Sequence, residues 1–157
     1  MVRRLFRSIG IAALALALAA GGVGAAEAPD ANRPLLSDLM ILTQLRQIKL
    51  WYAERAGNWR LAAYELDQMK RTLDRIVTLY PRTDSVAQDA FVRDKADPAL
   101  AELERAIAGK DAAAFGVAYG RSTDLCNQCH EQAGVGFITV RVPTKSPFAN
   151  QLFEPQP

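Results

Sequence analysis

Apolar side chains recur three and four residues apart in four stretches of this chain, and glycine or proline interrupts the pattern between the stretches. This spacing places apolar side chains along one face of an α-helix. The stretches cover residues 37–56, 59–80, 98–108 and 112–133. Because short connections favour antiparallel neighbours, we expect an all-α fold, an antiparallel four-helix bundle with an extended C-terminal tail.

Short polar side chains mark the expected starts of three of these helices. Ser37, Asp97 and Asp111 each precede a periodic stretch, where a side-chain oxygen can accept a hydrogen bond from a first-turn backbone N–H. The proline after Asp97 suits the first helical position. Gly57 is expected to end the first helix, because glycine adopts the left-handed conformation at little cost.

Aromatic residues are prominent near the helix connections. Residues 82–96 lack a clear period and are expected to form one or two turns that place Phe91 in the core. Trp51 and Trp59 are expected to lock the first two helices together, since buried aromatic side chains dominate core packing; covering a cofactor is the alternative. The first helix carries a wide apolar stripe, formed by Leu39, Met40, Ile41, Leu45, Ile48, Leu50, Trp51 and Tyr52.

The two ends of the chain differ from the helical part, residues 27–136. Residues 1–26 combine a basic start, an apolar run and a small-residue cleavage site, which indicates a signal peptide and, in a bacterium, the periplasm. A membrane anchor is the alternative, although the apolar run is barely long enough for a span. Residues 137–157 are β-prone and contain four prolines, so we expect an extended strap that lies along the bundle through Phe148, Leu152 and Phe153.

The charge balance argues against nucleic-acid binding. The chain has 19 Lys and Arg and 17 Asp and Glu; three of the cations and none of the acids fall in residues 1–26, which leaves 16 − 17 = −1 for the rest. Nucleic-acid binding needs a clustered positive excess. We therefore expect no nucleic-acid partner and no stable membrane insertion once the signal peptide is removed.

The chain's two cysteines and one histidine all fall within Cys126-Asn127-Gln128-Cys129-His130. C-x-x-C-H is the attachment signature of c-type haem. On one helical turn, both thiols can form thioethers with the two vinyl groups of one covalently bound haem c, and His130 then lies beneath the iron as proximal ligand. Random placement would produce this arrangement in roughly one chain in ten thousand.

Three other readings of the two cysteines are weaker. A zinc site would need a fourth ligand, and the sequence has no Cys or His outside the motif. A thioredoxin-like dithiol would need a strand-to-helix context, which the helical pattern does not provide. A disulfide across three residues closes too short a loop to stabilise the fold much.

The ligand on the other side of the iron decides between an electron carrier and a gas-binding protein. A second histidine does not exist, and Met1 leaves with the signal peptide, so Met40 and Met69 are the candidate thioethers. Met40 lies near the start of the first helix, from which it could reach a haem held by the last. Core packing is the alternative for Met40 and the expectation for Met69, and one of the five lysines is a weaker ligand candidate.

Four predicted helices, C-x-x-C-H on the last helix and a methionine near the start of the first resemble the class II cytochromes c, which include the cytochrome c′ and cytochrome c-556 types. The likeness covers residues 37–133, and only the haem motif is specific. It implies that Met40 would make the iron six-coordinate and low-spin, whereas an apolar residue there would leave it five-coordinate and open to NO or CO. The small cytochrome c fold, in which a methionine follows the motif, is not expected because no methionine follows Cys126.

Two further parts of the chain resemble a set of exported bacterial cytochrome-like proteins. They are residues 49–53 with 57–66, and the tail over residues 137–151. This likeness spans nearly the whole mature chain and implies no defined activity.

The expected function is electron transfer in the periplasm, without catalysis. Cys126 and Cys129 would fix the macrocycle, His130 would be the proximal iron ligand and Met40 the tentative distal ligand. Arg46 or Lys49 could pair with a haem propionate. The expected partners are a redox protein of unknown identity and, as an open alternative, a second copy of this chain.

Three alternative functions use the same motif. In a five-coordinate NO- or CO-binding protein, Leu39, Met40 and Leu66 would shield an open iron position. In a haem-bearing accessory subunit of a redox enzyme, Lys145 and Phe148 would contact the partner. A peroxidase is disfavoured because no second histidine can serve as the acid–base group, although Arg46 or Glu65 could lie near a pocket.

Overall fold

The computed structural model describes residues 32–83 and 85–157, and this part of the protein is all-α. About two thirds of the described residues are helical, and none of them forms a strand. The predicted signal peptide, residues 1–26, lies outside the described range. No helix in that range is long and apolar enough to cross a membrane.

Four long helices lie close to the four predicted stretches. Between the second and third of them, a short helix and one turn of π-helix place Phe91 in the core, as predicted. The elements are α1 (Leu36–Arg55), α2 (Trp59–Leu79), α3 (Gln88–Phe91), the π turn (Val92–Ala96), α4 (Asp97–Ala108) and α5 (Ala112–Gln132).

Side-chain caps fix two of the helix starts. Asp111 accepts a hydrogen bond from the Ala114 N–H at 2.9 Å, as predicted for the start of α5. Asn58, which the sequence analysis did not single out, caps α2 by accepting from the Leu61 N–H at 3.0 Å. The predicted Ser37 cap is wrong, because α1 already begins at Leu36 and has no side-chain cap.

The predicted cap at Asp97 is also wrong. Asp97 is helical, and its N–H donates to the carbonyl of Val92 through the π turn. The helical backbone is therefore continuous through Asp97, and no helix begins there that would need a cap. Pro98 has no N–H, and its ring would collide with the carbonyl four residues earlier in a regular α-helix. The wider π turn relieves this crowding and lets the chain continue from α3 into α4.

The helices pack around one apolar core. α1 packs against α2, and α4 packs against both α2 and α5. Burial of apolar side chains at these contacts is the main favourable term in folding. The core is formed by Leu50, Ala53, Ala62, Leu66, Met69, Leu100, Leu103, Ala106, Ile107, Phe115, Ala118, Tyr119 and Phe153.

Both tryptophans pack against α5. The Trp51 ring lies 4.8 Å from that of Tyr119 and 6.2 Å from that of Phe115, and Trp59 meets Phe115 edge-on at 6.4 Å. These four residues are called the aromatic cluster below. The tryptophans are predicted to lock α1 and α2 together, and the structure shows that both rings contact Phe115 of α5, through which the two helices are joined.

The predicted apolar stripe of α1 is only partly buried. Ile41 and Leu45 are 56% and 37% exposed, whereas Thr43 and Gln47 are buried. Thr43 donates to the Leu39 carbonyl at 2.9 Å, and Gln47 donates to Thr123 of α5 at 3.2 Å. Because these bonds satisfy the polar groups, the helix can bury a partly polar face and leave two aliphatic residues in water.

The tail after α5 contains no helix over residues 137–157. Phe153 is buried, and its ring lies 5.8 Å from Tyr52 and 6.2 Å from Phe148. The prediction for Leu152 is wrong, because its side chain is 65% exposed. The carbonyl of Phe153 accepts a hydrogen bond from Asn58 Nδ2 at 3.0 Å. The end of the tail therefore packs on the turn between α1 and α2.

Substitution Asn58→Ala tests this double contact. The variant loses both the α2 cap and the bond to Phe153, so we expect the free energy of unfolding to fall by about 1–2 kcal/mol. Urea denaturation of the folded protein measures the difference. Asn150→Ala, an exposed asparagine of the same tail, is the matched control, with an expected change of at most about 0.5 kcal/mol. Equal effects of the two substitutions would contradict the capping role.

Candidate cofactor site

The C-terminal half of α5 carries the C-x-x-C-H motif to the wall of a cavity. Cys126, Cys129 and His130 are each half-buried and all three line it. Residues three and four apart share one helical face, which is why a single helix can present both thiols and the imidazole together. The structure thus brings these three predicted site residues to one surface.

Met40, the fourth predicted site residue, lines the same cavity from α1. Met69 of α2 is buried in the core, as predicted, and lines the cavity as well. Other lining residues come from α1, α2, α4, α5 and the segment between α2 and α4. They are Thr43, Gln47, Leu73, Ile76, Gln88, Phe91, Val92, Ala96, Ala99, Leu100, Ser122 and Leu125.

The cavity has the lining of a cofactor site. It contains about 730 Å³ of space that protein atoms do not fill, part of which is open to solvent. Most lining side chains are apolar. The lining groups that can bind a haem or its iron are two thiols, one imidazole and two thioethers. This donor set suits a haem that is bound covalently and ligated at its iron.

Gln88 places an unpartnered hydrogen-bond acceptor at the wall of the cavity. Its Nε2 donates to Thr83 Oγ1 at 3.1 Å, but its buried Oε1 has no hydrogen-bond partner. An unpartnered buried acceptor costs roughly 1–3 kcal/mol. Because Gln88 lines the cavity, a bound group with a hydrogen-bond donor would remove this cost.

The imidazole of His130 is oriented by the chain that follows α5. Its Nδ1 lies 2.6 Å from the carbonyl oxygen of Ile138. A carbonyl can only accept, so the proton of the neutral ring sits on Nδ1 and the lone pair remains on Nε2. Nε2 is therefore the nitrogen that can bind a metal.

The two thiols are protonated at neutral pH. Burial raises the pKa of Cys126 from 9.0 to about 11, and the neighbouring Cys129 adds to the rise. Burial also raises the pKa of Cys129. The folded chain therefore holds these protons more tightly than the unfolded chain does. The stability from this source is present below pH 9 and is lost as the pH rises toward 11.

Several residues that the sequence analysis considered are engaged away from the cavity. Arg46 Nη1 and buried Glu65 form an ion pair at 3.0 Å, and neither lines the cavity. Lys49 Nζ lies 5.1 Å above the ring of Phe148. Leu39 and Leu66 are buried in the core but are not lining residues either.

Sequence reasoning missed Gln88 and Asn127 as site residues. Gln88 lies in the segment without a clear period, so no pattern indicated that it would face the motif. Asn127 pairs with Val140 across the turn after α5, and this partner depends on how the chain reverses. Within the described ranges, no cluster of three or more His, Cys, Asp and Glu side chains is arranged to hold a metal ion.

The raised thiol pKa values predict slow alkylation of the folded, haem-free protein. Cys129→Ser keeps Cys126 alone, and Cys126→Ser keeps Cys129 alone. Because the thiolate is the reacting form and burial, the main cause of the raised pKa, remains in Cys129→Ser, we expect iodoacetamide to modify Cys126 at a rate that still rises with pH above pH 9. The urea-unfolded chain, measured in parallel, should level at a lower pH. A folded-state rate for Cys126 that levels at the same pH as the unfolded control would contradict the burial of this thiol.

Comparisons of the chain with models of known families, with curated proteins and with solved structures give no match. The chemistry assigned to the cavity therefore depends on the C-x-x-C-H motif and on the side chains around it.

Proposed function

We propose that this protein is a periplasmic monohaem c-type cytochrome that transfers electrons. One observation carries the proposal: the three motif residues on α5 and Met40 on α1 line a single, mostly apolar cavity. Cys126 and Cys129 would hold the haem through thioethers, His130 would be the proximal iron ligand, and Met40 would be the distal ligand. A bound haem would supply one-electron redox chemistry at its iron.

The chain's own residues account for the rest of this function. The apolar lining of the cavity excludes water, which favours the less charged state of a redox centre and so influences its potential. Hydrogen bonding at Nδ1 of His130 leaves Nε2 free as a ligand. No side chain is required to transfer a proton to a substrate, so the protein is proposed as an electron carrier and not as an enzyme.

The proposed architecture is an antiparallel four-helix bundle of the class II cytochrome c type. α1 and α2 are joined by residues 56–58, and α4 and α5 by residues 109–111. Such short connections support antiparallel neighbours, since they cannot cross the length of a helix. The resemblance in motif position and in Met40 supports the same architecture.

The proposed location follows from residues 1–26, which have the pattern of a signal peptide. Haem c is attached outside the cytoplasm, in keeping with that location. The proposed partner is a redox protein that exchanges electrons with the haem, and neither nucleic acid nor the membrane is proposed as a partner. A homodimer remains an open alternative.

The second candidate function is binding of NO or CO at a five-coordinate iron. The mostly apolar lining of the cavity supports it, since such a lining can shield an open iron position and accept an uncharged diatomic ligand. The third candidate, an accessory subunit that docks through Lys145 and Phe148, is less well supported. Phe148 packs on Phe153 and beneath Lys49, so its ring is not free for a partner.

Optical spectra of the exported, haem-matured protein with and without CO test the proposal. We expect a covalent, low-spin haem that does not bind CO. Met40→Ala should convert it to a high-spin, CO-binding form, because the distal ligand is lost. Met69→Ala is the matched control, a methionine lining the same cavity, and should remain low-spin.

Other results would overturn specific parts of the proposal. A wild-type haem that is already high-spin and binds CO would replace electron transfer by ligand binding. If Met69→Ala, and not Met40→Ala, converts the haem to the high-spin form, the distal ligand is Met69 of α2. Absence of covalent haem from protein made in a host that attaches haem c would contradict the cytochrome assignment itself.

A further inference from the structure

The chain reverses direction directly after α5 and returns alongside the haem motif. Gly134, with φ of 72°, follows the helix end. The Val135 N–H donates to the carbonyl of His130 at 2.9 Å, and the Ile138 N–H donates to that of Val135 at 2.8 Å. These bonds bring residues 138–140 beside the last turns of α5.

Asn127, between the two cysteines of the motif, holds the returning segment at one residue. Its Nδ2 donates to the carbonyl of Val140 at 3.0 Å, and its Oδ1 accepts from the Val140 N–H at 2.9 Å. This pair imitates the two bonds that opposite residues exchange in an antiparallel sheet. Two bonds to one peptide residue fix its position and also its rotation.

Two residues before Val140, the carbonyl of Ile138 accepts the Nδ1 proton of His130 at 2.6 Å. The direction in which the Ile138 carbonyl points depends on the backbone rotation of residues 138–140, which Asn127 fixes through its two bonds to Val140. A free histidine side chain in water favours the opposite tautomer, with the proton on Nε2, and that form cannot donate a lone pair from Nε2. The tail carbonyl therefore selects the tautomer that can bind iron through Nε2.

We propose that Asn127 is a positioning residue: by holding Val140, it keeps the Ile138 carbonyl on Nδ1 of His130 and so maintains the iron-binding tautomer. The effect on the tautomer is a property of the chain alone. Its consequence at the iron rests on the proposed function. A hydrogen bond at Nδ1 makes the imidazole a stronger donor, which favours oxidised iron and lowers the reduction potential.

The single histidine of the chain makes the tautomer directly measurable. In haem-free, ¹⁵N-labelled full-length protein with the imidazole neutral, the ring nitrogen that carries the proton and the one that does not have well-separated ¹⁵N chemical shifts, so one spectrum reports the tautomer ratio. We expect the Nδ1–H form to dominate in the wild type. Asn127→Ala should reduce the ratio of Nδ1–H to Nε2–H by about fivefold or more, the factor expected for loss of one net hydrogen bond.

Two further variants separate positioning from general damage. Asn127→Asp keeps an acceptor for the Val140 N–H and loses the donor to its carbonyl, so its ratio should fall between those of wild type and Asn127→Ala. Gln128→Ala changes the exposed neighbour in the same motif and should keep the wild-type ratio. Circular dichroism confirms that each variant is folded, and Asn127→Asp decides the question should Asn127→Ala not fold.

The haem-loaded protein gives the second readout. Asn127→Ala should raise the reduction potential, and a tenfold change in the relative affinity for the two iron states corresponds to about 59 mV for one electron. Gln128→Ala should leave the potential unchanged. A purely structural role for Asn127 would lower thermal stability and leave the tautomer ratio and the potential as they are.

A wild-type tautomer ratio in folded Asn127→Ala and Asn127→Asp would overturn the inference. This outcome is distinct from failure of the proposed function, which would appear as missing covalent haem in every variant, including the wild type and Gln128→Ala. In that case the ratio measured on the haem-free chain would still decide whether Asn127 positions His130.

Discussion

Packing of the aromatic cluster sets the rotation of α5 about its axis, and the site depends on that rotation. Tyr119 is fully buried, lies 4.8 Å from Trp51 and donates from its hydroxyl to the Gln47 carbonyl at 3.0 Å. Cys126 and His130 follow Tyr119 by seven and eleven residues, about two and three helical turns, so they share its face. If α5 were rotated about its axis by one residue position, the motif would face away from the cavity. The contacts that stabilise the core therefore also orient the proposed haem ligands.

Polar groups lie between the aromatic cluster and the cavity, and their satisfaction keeps this region ordered. Gln47 connects α1 to Thr123 of α5, and Thr123 donates in turn to the Tyr119 carbonyl at 3.0 Å. In a low-dielectric interior, an unpaired polar group destabilises the folded state, whereas paired groups favour one specific arrangement of the core. Among the described residues, the fully buried side-chain atoms without a partner are Tyr52 Oη and Gln88 Oε1. Only Gln88 of these two lines the cavity, so its unpaired oxygen lies where an occupant could reach it.

Hydrogen bonds hold the C-terminal tail on the helical part at two separate places. Asn58 holds the Phe153 carbonyl beside the turn between α1 and α2, and Asn127 holds Val140 beside the C-x-x-C-H motif. Both asparagines donate from Nδ2 to a tail carbonyl while their Oδ1 accepts from a backbone N–H. A tail fixed at both places has little freedom near His130, since each bond restricts the backbone between them.

The sequence by itself determined the all-α class, the approximate helix bounds and the three motif residues, because helical period and motif spacing are local properties of the chain. It did not determine the buried face of α1. That helix is apolar on several sides, so period alone could not show that Gln47 would be inside and Ile41 in water. Hydrogen bonds to residues 72 to 76 positions away decided this. Tertiary structure likewise decided that both methionines line the cavity and that Ile138 meets His130, since the facing of separate helices and the path of the tail depend on contacts between distant parts of the chain.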